Sequence, residues 1–209
     1  MNLVMARLNL EICLVNLNDI IVISAGVDED RLRAVLERPR NARLKLKPSK
    51  CGLFQMSVSF LGHIDSGEGI ATDQRKIESV AKWPVIAYLK DIRSFVDLCS
   101  YYRRFVKGFA EIASPLHMMT RKGVSYQWSP DCHVAFECLK QALITSPILA
   151  IPTDEDRYVL DTDASNHSIG VVLSQIQVGE ERMIAYGSQT YKKAKVNYCT
   201  TRKELLAVV

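Results

Sequence analysis

YVLDTDAS (residues 158–165), IGVVLSQ (169–175) and RMIAYGS (182–188) set the fold class of the last part of the chain. At Tyr158 the spacing of the apolar residues changes from a helical period to short strand-like runs, and turn residues separate the three runs. The pattern predicts three strands joined by turns.

The regions on either side of these strands are predicted to be helical. After them, TTRKELLAVV (200–209) predicts a helix capped by Thr200 or Thr201. No stop signal follows, so we expect a chain truncated relative to its parent fold. Before them, we predict a helix from a Thr72 cap to Trp83, one over about 89–105, and one beginning at Ser129-Pro130.

The stretch LVNLNDIIVIS (14–24) places a short polar break between two apolar, β-branched runs. A break of this length predicts a β-hairpin. The next elements are a helix over 28–38 and two short strands at 53–54 and 58–64. Pro39 stands where that helix should take its last turn, and Arg43 stands where glycine would leave a helix most easily, so we expect the helix to stop early or to be strained.

Composition excludes several classes of protein. The chain has 209 residues, 48% of them hydrophobic, and a formal net charge of +4, which indicates a globular protein with a mildly basic balance. Its six cysteines show no C-x-x-C spacing, so we expect reduced, mostly buried thiols rather than a zinc site or disulfides. No apolar stretch is long enough to span a bilayer, and we expect an intracellular protein, cytoplasmic or nuclear, without a membrane partner.

Six stretches resemble, in order, the Pol polyprotein of gypsy-type long-terminal-repeat retrotransposons. They are MARLNLEICLVNLNDIIVIS (5–24), LKLKPSKC (44–51), FLGHIDSGEGIATD (60–73), LCSYYRRFVKGFAEIASPLH (98–117), LDTDASNHSIGVVLSQ (160–175) and IAYGSQTYKKAKVNYCTTRKELLAVV (184–209). The resemblance implies an α+β chain of four parts. These are the end of a reverse-transcriptase palm (1–70), a helical thumb-like segment (71–125), a connection (126–154) and the first half of a ribonuclease H-like domain (155–209).

The resemblance implies a catalytic metal site in the last part. Asp163 matches the ligand on the family's first strand and Glu204 the glutamate on its first helix, where Mg²⁺ or Mn²⁺ would be held for hydrolysis of RNA in an RNA–DNA hybrid. Asp161 lies two residues before Asp163, so strand alternation points both side chains to one face, and only the family pattern favours Asp163. The family's further acidic ligands would fall beyond Val209.

The hairpin matches the family's polymerase metal site imperfectly. Asp19 matches the second of two adjacent aspartates, and Asn18 replaces the first. An amide is a weaker Mg²⁺ ligand than a carboxylate, so we expect no polymerisation by this chain alone.

Two segments are candidates for nucleic-acid contact. Tyr102, Arg103, Arg104 and Lys107 interleave aromatic and basic groups, which suits a surface that follows a phosphate backbone. An equally good interpretation is a helix that buries its aromatic side chains and leaves its arginines in solvent. The resemblance adds the hairpin that contains Phe60 and Gly62, which lies near the primer end in the family.

These residues leave three functional hypotheses. The first is a fragment of a reverse transcriptase and ribonuclease H that keeps the fold but has little or no catalysis of its own. The second is a non-catalytic module that binds RNA–DNA hybrid, another nucleic acid or a protein partner. The third is an enzyme whose missing carboxylates come from another Pol chain.

Overall fold

A computed structural model describes residues 4–6, 8, 11–17, 19–22, 24, 26, 28–154 and 157–208 of the chain. The chain divides into two compact units. The first comprises Met1–Leu61 with Asp65–Gly67, and the second comprises Gly62–Ile64 with Glu68–Val209.

The first unit opens with the predicted hairpin. Strands β1 (Leu14–Asn16) and β2 (Asp19–Ile21) are antiparallel, with Leu14 opposite Ile21 and Asn16 opposite Asp19. Leu17 has a φ of 51°, as a tight turn between two twisted strands requires. The hairpin prediction is confirmed with shorter strands, and Asn18 lies outside the described residues.

Helix α1 (Glu29–Asn41) differs from its prediction at its end. Asp28 caps it by accepting the Arg31 N–H at 2.8 Å. The helix does not stop before Pro39 but continues through it, with the proline ring buried. The exit is left-handed as predicted, since Arg43 has a φ of 56° and the Leu44 N–H donates to the Pro39 carbonyl at 2.9 Å.

Three short strands follow a 3₁₀ turn (Pro48–Lys50). They are β3 (Ser57–Phe60), β4 (His63–Ser66) and β5 (Gly69–Thr72). The predicted strand at 53–54 is wrong, because Phe54 has a left-handed φ of 54°. The predicted strand over 58–64 is two strands, since Leu61 and Gly62 turn the chain with φ values of 49° and 72°.

The second unit contains most of the helices. They are α2 (Gln74–Ala81), α3 (Leu89–Tyr101), α4 (Phe109–Ile112), α5 (Ser114–Met119) and α6 (Pro130–Ile144), with a 3₁₀ turn (Arg103–Phe105) after α3. The Thr72 cap is wrong, because Asp73 accepts the Arg75 N–H at 2.9 Å and caps α2. The single helix over 89–105 breaks at Tyr102 into α3 and the 3₁₀ turn. The Ser129 cap of α6 is confirmed.

These helices enclose the main core of the second unit. Its buried side chains include Phe95, Phe105, Phe136 and Leu139. An antiparallel bridge between Ile70 and Leu149 joins β5 to the chain that leaves α6. Gly69 is required beside this bridge, because a Cβ there would lie 2.2 Å from the Leu149 carbonyl oxygen.

The three predicted strands form one antiparallel sheet of order β6-β7-β8. Their bounds are β6 (Tyr158–Ala164), β7 (Ser168–Gln177) and β8 (Glu180–Thr190), followed by α7 (Lys193–Val196) and α8 (Thr200–Val208). The three strands and the last helix are confirmed. The cap of α8 is one residue earlier than predicted, because the Cys199 carbonyl accepts the first helical hydrogen bond, from the Lys203 N–H.

The cysteines are all free, but only three are buried. Cys13, Cys99 and Cys132 lie in apolar surroundings, whereas Cys51, Cys138 and Cys199 are exposed. The expectation of mostly buried thiols is therefore wrong for half of them. In the part of the chain that is described, no helix is both long and apolar enough to cross a membrane.

Candidate metal and nucleic-acid site

Asp163 lies near the end of β6 and is exposed to solvent. It is paired with Gly170 across the sheet, and Asp161 is paired with Val172. The turn after β6 is held by the Ser165 hydroxyl, which accepts the N–H groups of His167 and Ser168 at 3.2 and 3.0 Å. These hydrogen bonds therefore fix the turn that begins two residues after Asp163, a candidate metal ligand.

A cavity of about 290 Å³ lies beside β6 and β7. Asp161, Thr162 and Asp163 of β6 line it, together with Lys107 and Glu111 from the segment around the start of α4. The Glu111 carboxylate is held by the Ser168 hydroxyl, which donates to it at 3.0 Å. A predicted metal ligand and a predicted phosphate contact thus line the same cavity.

Glu204 lies in the first turns of α8, which packs against β6 and β7. Its residue is exposed, while the preceding Lys203 is buried. Glu204 and Asp163 both influence Tyr191. Burial raises the pKa of the Tyr191 phenol, and the negative charges of Glu204 and Asp163 raise it further. Both carboxylates therefore act electrostatically on one phenol.

The Asp163 and Glu204 side chains fit a hard divalent cation in the chemistry of their donors. Magnesium is commonly bound through one or two carboxylates and keeps water or phosphate oxygens in its other positions. Within the described residues, no group of three histidine, cysteine, aspartate or glutamate side chains is arranged to hold a metal ion. Asp163 and Glu204 thus lie on separate, contacting elements, and the cavity is lined by Asp163 but not by Glu204.

The third predicted ligand, Asp19, belongs to the first unit. It is exposed at the start of β2, directly opposite Asn16. Phe60, predicted to contact nucleic acid, is half-buried at the end of β3 in the same unit.

The other predicted nucleic-acid residues have structural contacts in the second unit. Tyr102 is buried, and its hydroxyl donates to the Gly62 carbonyl at 2.8 Å. Arg103 donates to the Ser188 carbonyl of β8, and Arg104 donates to the Ile184 carbonyl at 3.4 Å. Both arginines therefore tie the 3₁₀ turn to the sheet, whereas Lys107 is exposed at the cavity.

Sequence reasoning missed Glu111, Tyr191 and Lys203. Each is brought to the site by a contact between elements distant in the chain, and the family resemblance assigned a role to none of them. Lys203 gave one signal, its position directly before Glu204, but a lysine in the first turns of a helix is ordinarily solvated.

Known proteins resemble this chain along nearly its whole length. A family model described as the RNase H-like domain found in reverse transcriptase matches residues 128–209. The retrovirus-related Pol polyprotein from transposon 412 of Drosophila melanogaster is 35% identical over 194 residues, which are 92% of this chain and 16% of that protein. The transposon Tf2-3 polyprotein of Schizosaccharomyces pombe is 31% identical over 196 residues, 92% of this chain and 15% of that protein. The chain thus spans about a sixth of the length of these curated relatives.

Two solved structures share the fold. A foamy viral protease-reverse transcriptase in complex with an RNA/DNA hybrid has a TM-score of 0.85 at 22% identity, covering 99% of this chain and 28% of that one. A second structure of that viral protein, in complex with double-stranded DNA, has a TM-score of 0.83 at 22% identity, covering 99% of this chain and 44% of that one.

Proposed function

We propose that this chain, a homologue of the Pol polyproteins of gypsy-type retrotransposons with an RNase H-like domain over residues 128–209, binds RNA–DNA hybrid at the cavity beside β6 and a divalent cation between Asp163, which lines that cavity, and Glu204 of α8. The family activity is RNA-directed DNA synthesis with hydrolysis of the RNA strand. A protein that acts on RNA–DNA hybrid would be located in the cytoplasm or the nucleus. The four-part layout predicted from the sequence is retained as part of this proposal.

The cavity beside β6 carries the proposal. It brings Asp163 and Lys107 together, an anionic metal ligand and an exposed cation that come from different segments of the chain. A phosphodiester needs both kinds of group, because the metal binds its oxygens and a lysine offsets its remaining charge.

Each residue has a stated part in binding. Asp163 and Glu204 would hold Mg²⁺ or Mn²⁺, which when bound polarises the phosphodiester and activates a water. Lys107 would contact a phosphate at the cavity, and Glu111 keeps the Ser165–Ser168 turn in place through Ser168. Arg103 and Arg104 would contribute positive charge beside the sheet while their hydrogen bonds to β8 orient them.

The residues proposed for nucleic-acid contact outside the cavity are Phe60, Gly62 and Tyr102. Tyr102 would act by supporting the Gly62 turn from beneath, because its own ring is buried. Asp19 is proposed as a palm ligand on the grounds of its exposed place in the hairpin.

We propose that this chain on its own hydrolyses the hybrid slowly or not at all. Within the described residues, no group of three histidine, cysteine, aspartate or glutamate side chains is arranged to hold a metal ion, whereas two-metal hydrolysis draws on several anionic ligands. The alternative is a non-catalytic binding module, and a third possibility is an enzyme completed by carboxylates from a second Pol chain.

Cleavage of a labelled RNA–DNA hybrid by the purified chain with Mg²⁺ or Mn²⁺ tests the catalytic part. We expect no cleavage above that of the Asp163→Asn variant. Cleavage that disappears in this variant would contradict slow or absent turnover and would show that further ligands are supplied.

Binding of the same hybrid tests the cavity. Affinity should fall as salt rises, and Lys107→Gln should reduce the slope of log affinity against log salt by about 1. Lys82→Gln removes an exposed lysine directly after α2, where it pairs with the exposed Glu78 at 3.8 Å, and serves as the control. An equal slope for both variants would exclude Lys107 as a phosphate contact.

A further inference from the structure

Lys203 and Asp73 are the buried charged residues among the described residues of the second unit, and Asp73 is paired with Arg75. Only 7% of the Lys203 surface is exposed, although the flanking Arg202 and Glu204 are both exposed. Lysines are almost never buried to this degree without a partner that accepts a hydrogen bond from the ammonium. The position therefore requires an explanation beyond solvation of a helix face.

The partners of Lys203 come from two segments outside its own helix. Its ammonium donates to the Asn166 carbonyl at 3.2 Å and lies 5.5 Å from the centre of the Tyr191 ring. Asn166 is in the turn directly after β6, and Tyr191 directly follows β8. Tyr191 is joined to the same turn, because its N–H donates to the His167 carbonyl at 2.9 Å. One ammonium thus connects α8, the turn after β6 and the end of β8.

These partners leave the carboxylates of the site available. A carbonyl oxygen and an aromatic face stabilise the ammonium without neutralising its charge. In the described part of the chain, no aspartate or glutamate forms an ion pair with Lys203. Lys203 therefore holds α8 in place without occupying Asp163 or Glu204.

We propose that Lys203 is a positioning residue that fixes Glu204 of α8 relative to Asp163 of β6. Asn166 lies three residues after Asp163, and Lys203 directly precedes Glu204, so the hydrogen bond between them joins the two ligand-bearing segments close to both ligands. The inference rests on the proposed function for its purpose, whereas the attachment of α8 can be tested without a metal.

The first test is amide hydrogen exchange on the whole chain, comparing Lys203→Met with Lys203→Arg. Methionine keeps the length of the side chain and removes the donor, whereas arginine keeps a cationic donor. We expect Lys203→Met to lower the protection of the α8 amides by about tenfold, as loss of a charge-assisted hydrogen bond predicts, and to leave β7 and β8 protected. Lys203→Arg should recover most of the protection of the α8 amides, and Lys82→Met should leave their protection unchanged.

The second test is binding of Mn²⁺ alone, measured by the loss of the free-ion signal in electron paramagnetic resonance. Residues that orient metal ligands typically change metal affinity by 10–100-fold, so we expect Lys203→Met to weaken binding about tenfold and Lys203→Arg to restore it in part. A residue that only filled space would not be rescued by arginine, whose head is larger.

The outcomes separate this inference from the proposed function. If Lys203→Met keeps both its α8 protection and its Mn²⁺ affinity, the inference is overturned. It is equally overturned if protection falls to the same extent in β7, β8 and α8, since Lys203 would then be an ordinary core residue. If the parent chain binds no Mn²⁺, the proposed metal site fails, and selective loss of α8 protection then supports the attachment while unchanged protection overturns it.

Discussion

Tyr102 shows at the scale of one residue how a predicted contact residue also serves the fold. Its hydroxyl donates to the Gly62 carbonyl, which also accepts the Asp73 N–H at 3.2 Å. Because that carbonyl keeps a partner, we expect Tyr102→Phe to lower the free energy of unfolding by only about 1 kcal/mol. Urea unfolding measures the loss.

Tyr158→Phe is the matched control for this change, because Tyr158 is half exposed on β6. It should shift the free energy of unfolding by less than about 0.5 kcal/mol. Equal losses in the two variants would mean that the Tyr102 hydrogen bond contributes nothing specific.

A second prediction at this scale concerns alkaline pH. Burial raises the pKa of the Cys99 thiol from 9.0 to about 12. Burial, with the charges of Tyr101 and Asp73, raises the pKa of Tyr102 from 10.0 to about 12. Both groups are held protonated by folding, so their contribution is complete below the unfolded values and is lost as the pH rises toward 12.

We therefore expect the free energy of unfolding to fall progressively above pH 9, the ordinary pKa of the thiol. Guanidinium unfolding at pH 8, 10 and 11 under reducing conditions measures the slope. Cys99→Ala lowers stability at every pH but should make the slope shallower. Parallel slopes for the parent and the variant would contradict a raised Cys99 pKa.

At the scale of elements, the end of α1 carries a clear test. Arg43 adopts a left-handed conformation that costs a residue with a Cβ roughly 1–2 kcal/mol. Glycine removes that cost but gains freedom in the unfolded chain, so we expect Arg43→Gly to stabilise α1 by about 0.5–1 kcal/mol. Hydrogen exchange of the α1 amides reports the change.

Arg40→Gly provides the opposite control three residues earlier. Arg40 is inside α1, where glycine costs about 1 kcal/mol relative to a good helix former. If both glycines destabilised the helix, the left-handed exit at Arg43 would be contradicted.

The sequence predicted elements better than their ends. The hairpin, the three strands and most helices follow from periodicity, which is a local property. Asp73 rather than Thr72 caps α2 because two adjacent residues are both capable of capping, and only the path of the backbone selects one. Left-handed Phe54 and Leu61 gave no signal, because neither residue favours that conformation by itself.

For the candidate site as well, the sequence identified some residues and missed others. Asp163 and Glu204 were identifiable because the family resemblance assigns each a role as a ligand, and Lys107 because it follows a run of aromatic and basic residues. Tyr191 and Lys203 were not, because their importance arises from a hydrogen bond and a ring contact that cross 37 and 12 positions (203 minus 166, and 203 minus 191).

At the scale of the molecule, the second unit joins its helical core to the three-stranded sheet through polar contacts and through Met183 and Tyr186 of β8, which pack on that core. The Ala110 N–H donates to the Ser188 hydroxyl at 2.9 Å, and Arg103 and Arg104 donate to carbonyls of β8. We therefore expect the helices and the sheet to unfold together. Fluorescence of Trp83 and Trp128, which pack on the helical core, should change at the same urea concentration as the protection of β7 amides.

Ser188→Ala sharpens this prediction, because it leaves the buried Ala110 N–H without its acceptor. The change should lower the free energy of unfolding by about 1–3 kcal/mol. It should shift the tryptophan transition and the loss of β7 protection to the same extent. A sheet that melts before the tryptophan signal changes would show that the two parts are independent.

The bridge between Ile70 and Leu149 has a consequence for the rate of folding. Its two hydrogen bonds, of 2.7 and 2.8 Å, close a loop of 79 residues (149 minus 70). Bringing such distant ends together costs roughly 4 kcal/mol of chain entropy from the length term alone, before any contact across the bridge offsets it. The helices between these ends can form early from local contacts, so we expect the bridge to form late in folding. Changes at Gly69 should then act mainly by speeding unfolding, and the lifetime of the native state depends on a glycine that lies outside the proposed site.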